Sequence, residues 1–348
     1  MIQSPPSGPF RAGERVQLTD PKGRLTTTWL TDGGRVHSQY GTIEHAEIIG
    51  LPDGSVVTST GGMEYLALRP LLTDVIMSMP RGAAIIYPKD SAMILAKADI
   101  RPGTRVVEAG VGSGALSLWL LRMLAGEGEL ISFERREEFA EVARGNVESV
   151  FGGPPKNWRI AIGDLQEALP RECEPGSVDR VVLDMLAPWE CLPTVAEALV
   201  PGGVLVCYVA TVTQLSRVAE AIREHGGFTE PDADETMVRG WHVEGLAVRP
   251  DHRMVAHTGF LLTARRLAPG TTLPLKRQTS KTAGTDADRE AWTPSDADAW
   301  TPDAVGERHV SDKVLRKRGR EARRGAQHAS RSEGEILDAT ETEGLDHA

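Results

Sequence analysis

The sequence predicts an α/β fold, a mainly parallel sheet covered by helices and preceded by a small β-rich module. Three observations carry this. From Gly103 to Leu267, short apolar runs alternate with helical patterns, as in a parallel sheet with crossover helices. One of those runs ends in a glycine-rich turn, Glu108-Ala-Gly-Val-Gly-Ser-Gly114. Residues 10–70 instead alternate apolar and polar positions and are broken by Asp-Gly and Gly-Gly pairs, which favours small antiparallel strands.

Taken in order, the stretches 15–18, 25–30, 55–58 and 65–68 read as strands of an N-terminal module over residues 1–70. A helical connector spans residues 71–102, with helices expected at 71–79 and 91–97. The larger domain covers residues 103–268. Its first strand is 105–108, followed by the glycine turn and a helix at 115–124. A second strand at 130–133 leads into a helix at 137–150, and strands follow at 158–162, 178–184 and 204–209. A helix at 214–225 precedes candidate strands at 235–244 and 255–265; pairing these two as a hairpin makes the sheet mixed. Residues 269–348 are poor in aliphatic side chains, so composition predicts a largely disordered tail. Within it, the basic stretch from Lys313 to Arg324 reads as a solvated segment, a short helix or an RNA-contacting arm.

Composition narrows the function classes. Of 348 residues, 40% are hydrophobic and 25% charged, as in a soluble globular protein. The sequence has no long uncharged apolar run of membrane-spanning length. The segment from Met1 to Arg11 lacks the apolar core of a secretory signal. Three scattered cysteines give neither a disulfide framework nor metal-ligand spacing, and a reducing cytoplasm is expected, with no membrane and no metal. The net charge of -10 argues against a globally basic nucleic-acid binder but leaves room for a local basic patch.

The turn suits a small charged ligand. Its glycines allow positive φ and close backbone approach, and the helix that follows offers unpaired N–H groups. Gly110, Gly112 and Ala115 also fit the dinucleotide pattern G-x-G-x-x-A, so the glycines alone leave a nicotinamide cofactor or a purely structural turn open. Three acids at successive strand ends decide between them. Glu108, two residues before Gly110, would repel a pyrophosphate but suits an ammonium or sulfonium group. Glu134 closes the second strand and can accept both ribose hydroxyls, where the alternative is a surface acid. Asp164-Leu165 follows the third strand near an adenine amino group, or caps a helix.

Asp184 ends the apolar fourth strand and emerges at the same sheet edge, followed by Met-Leu-Ala-Pro-Trp189. A carboxylate there can accept a hydrogen bond from an exocyclic amine; the alternative is a cap for a helix beginning near Pro188. Pro188 and Trp189 wall a flat substrate or pack in the core. Tyr87 and Tyr208, two of only four tyrosines, stack on or hydrogen-bond to a base, or are half-buried structural residues.

These residues resemble the class I, Rossmann-like methyltransferases through Glu108–Gly114, Glu134, Asp164-Leu165 and Pro201-Gly-Gly203. The stretches Tyr87-Pro-Lys-Asp90, Leu183-Asp-Met-Leu-Ala-Pro-Trp189 and Tyr208-Val-Ala-Thr-Val-Thr-Gln214 are narrower. They resemble the tRNA (adenine-58-N1) methyltransferases, especially the actinobacterial single-gene form. The opening Gly8-Pro-Phe-Arg-Ala-Gly-Glu-Arg-Val16 resembles that family's small β-domain, and the similarity runs over residues 8–270. The resemblance implies a seven-stranded mixed sheet, S-adenosylmethionine as cofactor, and a cytoplasmic homotetramer acting on tRNA. It implies cofactor contacts at Ser113, Gly114, Ala115, Leu116, Glu134, Phe139, Asp164 and Asp184, and substrate-pocket roles for Tyr87 and Tyr208.

Residues 1–100 carry 9 basic and 10 acidic side chains, and residues 101–270 carry 17 and 24. A tRNA surface must then be local, with Arg11, Arg15, Lys22, Arg24 and Arg81 as candidates, or be assembled across subunits. The alternative functions are a methyltransferase acting on another RNA, a small molecule or a protein, a non-catalytic RNA-binding subunit, and a nicotinamide-dependent reductase, which Glu108 disfavours.

Overall fold

The computed structural model describes residues 7–274 and 310–343, with side chains to Ser330 in the last helix. The chain divides into two compact units, one of residues 1–82, 141–155 and 315–348, the other of residues 83–140 and 156–314.

The first unit begins with six strands, β1 (Arg15–Thr19), β2 (Leu25–Trp29), β3 (Arg35–Ser38), β4 (Gly41–Glu44), β5 (Ser55–Thr58) and β6 (Glu64–Leu68). Four form an antiparallel sheet in the order β2-β1-β6-β5, and β3 and β4 form a separate hairpin. The alternation of β6 places Tyr65 and Ala67 inward, where they meet Phe10, Val16, Leu18, Leu30, Ile43 and Val57. Burying such side chains stabilises the module by roughly 1.5–3 kcal/mol for each large one. Arg69 holds the edge. It donates to Glu14 at 2.7 Å and lies over the Phe10 ring. The hairpin β3–β4 lies outside the predicted strands, because its residues are mostly polar and only Val36 and Ile43 are buried. Helix α1 (Leu72–Ser78) follows, within the span predicted for it.

The second unit opens with α2 (Pro88–Lys97), with proline at its first position. Next come β7 (Arg105–Ala109), α3 (Ala115–Leu124), β8 (Glu129–Glu134), α4 (Glu137–Phe151), β9 (Trp158–Ile162), α5 (Leu165–Glu172), β10 (Val178–Asp184), α6 (Leu192–Ala198), β11 (Leu199–Val209) and α7 (Val212–His225). Four short strands follow, β12 (Asp232–Glu235), β13 (Trp241–Glu244), β14 (Ala247–Pro250) and β15 (Phe260–Arg265). The seven-stranded sheet has the order β12-β15-β11-β10-β7-β8-β9. Strands β7 to β11 pair in parallel, while β15 runs antiparallel to both β11 and β12. The sheet is therefore mixed, as expected, but its antiparallel edge pairs β15 with residues 232–235, so only Glu235 of the candidate strand 235–244 takes part. The candidate strand over residues 235–244 resolves differently. It joins the end of β12 to β13, and β13 pairs with β14 in an exposed hairpin outside the main sheet. Central strands such as β7 and β10 are apolar because both faces are buried.

The first unit also takes in the later part of α4 and a long helix, α8 (Asp312–Glu343). Composition predicts a largely disordered tail with a short helix as one reading of its basic stretch; the helix formed is 32 residues long and docks through small residues that an apolar count does not register. The rest of the disorder expectation falls on residues 275–309 and 344–348, outside the described residues.

Candidate active site at the carboxyl edge of the sheet

The register of the parallel strands gathers the site. Ala109 lies beside Leu183 and Phe133, Glu134 beside Ile162, and Asp184 beside Tyr208. The ends of β7, β8, β9, β10 and β11 therefore share one edge, where ligands of such sheets bind.

The turn after β7 explains its own composition. Gly110, Gly112 and Gly114 have φ of 57°, 53° and 81°, a region that costs other residues roughly 1–2 kcal/mol. A Cβ on Gly110 would overlap the Asp184 carbonyl oxygen, so this glycine sets how closely the turn approaches β10. A Cβ on Gly112 would meet nothing within 4 Å, so the turn is open at that point. Ser113, Ala115 and Leu116 are buried where α3 begins.

Glu108 is buried below the turn. Its Oε2 accepts hydrogen bonds from the Ser117 and Ser132 hydroxyls, each at 2.6 Å, and Ser132 in turn accepts from the Trp158 indole at 3.0 Å. Its Oε1 is buried with no hydrogen-bond partner among the described residues. Burial pushes the carboxyl up to about 7; the two serine hydroxyls oppose this and nearby Glu134 reinforces it. An unpartnered buried carboxylate oxygen beneath an open glycine turn fits a ligand that brings a positive charge or a donor. Glu134 stands at the mouth of the turn, accepting from the Gly112 N–H at 3.2 Å and the Arg136 N–H at 3.2 Å. These features fit S-adenosylmethionine, with Glu108 and the turn toward its methionine portion and Glu134 toward its ribose.

Three more of the expected contacts have these surroundings. Asp164 occupies the N-cap position of α5 but its side chain makes no cap hydrogen bond; it forms an ion pair with Arg135. Leu165 is buried in the main core. Phe139 is also buried, and the Arg136 guanidinium lies 3.8 Å from its ring centroid, so it forms the floor under Arg136.

Beside the turn, Asp184 and Tyr208 are neighbours across β10 and β11. The Tyr208 hydroxyl donates to the Thr258 carbonyl at 2.7 Å, and a Cβ on Gly259 would overlap its ring. Burial pushes this phenol well above its usual range, helped by the charges of Asp90 and Asp184 and by Tyr87. Tyr87 and Asp184 are thus both close enough to act on Tyr208. With its hydroxyl engaged, Tyr208 offers a ring rather than a proton.

Behind Tyr208 lies a network that the sequence reading did not single out. Lys89 donates to Asp90 at 2.7 Å, to the Thr236 carbonyl at 2.6 Å and to the Thr258 hydroxyl at 2.6 Å, and Thr258 donates to Asp90. Lys89 and Asp90 lie within the Tyr87-Pro-Lys-Asp90 stretch, but Thr258 carries no signal in the sequence. Gln214 was also missed as a functional residue. It completes a capping box with Thr211 and donates its side-chain amide to the Leu186 carbonyl at 3.0 Å, fixing the loop after Asp184. In that loop, Pro188 begins a short 3-10 turn (Pro188–Cys191), and Trp189 packs against the core beneath Arg217. The packing reading of Trp189 is therefore the one the structure adopts.

Comparison with known proteins follows the same lines. Residues 8–57 match the TrmI-like N-terminal family, and residues 66–248 match the family described as tRNA methyltransferase complex GCD14 subunit. The chain is 34% identical to the tRNA (adenine(58)-N(1))-methyltransferase TrmI of Thermus thermophilus, over 72% of this chain and 95% of that protein. This chain belongs to the TrmI family of tRNA methyltransferases. A relative from Methanocaldococcus jannaschii, a tRNA (adenine(57)-N(1)/adenine(58)-N(1))-methyltransferase, is 31% identical over 66% of this chain and 87% of its own length. The crystal structure of the tRNA (m1A58) methyltransferase TrmI from Aquifex aeolicus superposes with a TM-score of 0.66 and 28% identity, covering 75% of this chain and all of that one. A SAM-dependent O-methyltransferase from Thermotoga maritima superposes with a TM-score of 0.69 and 28% identity, covering 78% and 96%. The family and its cofactor, S-adenosylmethionine, agree with the fold expected from the glycine turn and its acids.

Proposed function

We propose that this TrmI family member transfers the methyl group of S-adenosylmethionine to N1 of adenine 58 in the T-loop of tRNA. The observation that carries this reading is the pairing of Asp184 with Tyr208 at the sheet edge, beside the open glycine turn. The cofactor supplies an electrophilic methyl on a sulfonium. The chain supplies orientation, which is worth a large part of such a barrier. Ser113, Gly114, Ala115 and Leu116 form the start of α3 against which the ligand seats, with Glu134 and Asp164 as acceptors on its ribose and adenine. Phe139 supports this wall from beneath Arg136.

Adenine N1 has an in-plane lone pair and needs no prior deprotonation. Attack leaves positive charge on the base. Asp184 accepts a hydrogen bond from the exocyclic N6 amino group, orients the ring and stabilises that charge. The target base must leave its stack to reach the edge, and the rings of Tyr208 and Tyr87 offset part of the unstacking cost.

We further propose a homotetramer of the single-gene type found in actinobacteria, working in the cytoplasm, where the three buried cysteines stay as free thiols. The exposed hairpin β13–β14 supports self-association. Trp241, Val243, Leu246 and Val248 all present apolar surface to solvent, an arrangement a monomer rarely tolerates.

The test is incubation with unmodified tRNA and labelled cofactor, followed by nucleoside analysis. 1-Methyladenosine at position 58 is expected from the wild-type chain. The Asp184→Ala variant should bind cofactor within a few-fold of wild type by calorimetry yet lose at least about 100-fold in turnover, the usual scale for removing one electrostatic or proton-handling group. Equal loss of binding and turnover contradicts the orienting role, and a methyl group elsewhere contradicts the substrate.

A further inference from the structure

An acidic chain that handles a polyanion must concentrate its cations somewhere. The expected candidates in the N-terminal module do not all supply them. Arg15 lies over the Trp29 ring at 4.3 Å and donates to the Ser149 hydroxyl at 2.7 Å, and burial lowers its guanidinium to about 10. Arg81 turns back on the carbonyls of α1, and Arg24 pairs with Asp20. These cations serve the fold.

Helix α8 is different. Between Lys313 and Arg324 it carries seven basic side chains and one acid. Its buried positions are Leu315, Gly319, Ala322, Gly325 and Ala329. At roughly 100° per residue, these fall on one side of the helix. Lys313, Arg316, Lys317, Arg320 and Arg324 fall on the opposite side and are all exposed. Arg316, Arg320 and Arg324 have no ion-pair partner among the described residues, so their charges are not neutralised there.

The docking side is built for close approach. A Cβ on Gly145 of α4 would lie 2.6 Å from the Ala322 Cβ and 2.7 Å from its backbone carbon. Gly325 sits against Ser149 and Trp29, where an added Cβ would be 3.3 Å from each. His328 stacks on Trp29 with ring centroids 5.7 Å apart, and Arg323 pairs with Glu141. The helix is thus anchored through glycine and alanine, with Arg323 at its flank and Lys313, Arg316, Lys317, Arg320 and Arg324 on the side away from the anchor.

We propose that α8 is an RNA-binding element, docked on the first unit by its small-residue side and presenting Arg316, Lys317, Arg320 and Arg324 to the phosphate backbone of the tRNA substrate. Residues 316, 320 and 324 are spaced four apart, covering about 12 Å of helix axis, a row suited to successive phosphates along one strand. Arginine and lysine on such a row add sequence-independent affinity, and the adenine is selected elsewhere. The inference rests on the tRNA reading given above.

The experiment uses the full chain and unmodified tRNA. Arg316→Gln, Lys317→Gln, Arg320→Gln and Arg324→Gln are combined, since glutamine keeps helix propensity and leaves the docking side intact. Binding is followed by fluorescence anisotropy across a salt series, and methyl transfer is measured on the same samples. Each lost phosphate contact lowers the salt slope by about 0.7–0.9, so a fall of about 3, a tenfold or greater rise in Kd and KM, and a near-constant kcat are expected. A second variant, Gly325→Leu, keeps every charge but pushes the helix off its seat. It should weaken tRNA binding while leaving cofactor affinity unchanged. An unchanged salt slope in the quadruple variant, with wild type binding and methylating tRNA, overturns the inference and leaves the tRNA reading standing. Unchanged tRNA affinity in Gly325→Leu overturns the docked arrangement. Failure of wild type to bind tRNA overturns both.

Discussion

At the scale of single residues, Glu108 is a buried carboxyl held away from its ordinary state. A carboxyl raised to about 7 in the folded chain, against an ordinary 4.5, favours its protonated form. The folded state then binds more protons than the unfolded state between about pH 4.5 and 7. Stability therefore falls as pH rises through that window, by roughly 3 kcal/mol at most. Glu108→Gln should flatten this dependence, read as Tm against pH in the cofactor-free protein. The ligand has the opposite effect. Its positive group favours ionised Glu108, so affinity for S-adenosylhomocysteine should strengthen as pH passes from 6 to 8 and lose that dependence in the variant. Equal pH profiles for wild type and variant would place the proton elsewhere. The sequence made Glu108 legible as an acid beside a ligand turn, because strand, turn and helix are local patterns. It could not disclose the two serines that hold one oxygen and leave the other unpartnered, since Ser117 and Ser132 reach it from a different helix and strand.

At the scale of elements, the turn and the loop after β10 act together. Gly110 touches the carbonyl of Asp184, and Gln214 holds the carbonyl of Leu186 two residues later. The position of the Asp184 carboxylate is therefore set from both sides by residues that need not touch substrate. Gln214→Ala leaves the Leu186 carbonyl unpaired, a cost of about 1–3 kcal/mol, and also removes the acceptor that the Ala210 and Thr211 N–H groups share. The expected kinetic result is a kcat lowered about tenfold with little change in cofactor affinity, because the glycine turn is untouched. Restoration by Gln214→Glu is not expected, since a carboxylate cannot donate to Leu186. A loss confined to cofactor affinity would contradict this positioning role. The strands and helices themselves were legible, because buried parallel strands read as apolar runs and their helices as amphipathic ones. The β3–β4 and β13–β14 hairpins were not, since both are short and mainly polar or exposed, and of α8 only a short helix was among the readings, its docking being hidden because its seat is made of glycine and alanine.

At the scale of the whole molecule, the exposed hairpin argues for assembly. Leu246 at its tip is fully solvent-exposed, at 104% of its reference area, and Val243 stands at 70%. Type and position matter here. The tip follows a glycine with positive φ, Gly245, which makes a tight two-residue connection between β13 and β14. A turn of that kind needs polar residues in a monomer, yet this one carries leucine with tryptophan and valine on its arms. Covering those side chains stabilises an interface by about 25 cal/mol per Å2 of apolar area, less the entropy of association. Replacing Val243 and Leu246 with aspartate should therefore shift the chain from an oligomer to a monomer in light scattering, while Asp184 and the glycine turn, in the main sheet, keep their cofactor affinity. A wild-type chain that is monomeric at micromolar concentration, or a double variant that assembles like wild type, would remove the hairpin from the interface. Loss of methyl transfer together with assembly, at unchanged cofactor affinity, would go further. It would mean that the tRNA surface is completed only when subunits meet, which is the second way an acidic chain can gather enough positive charge for its substrate.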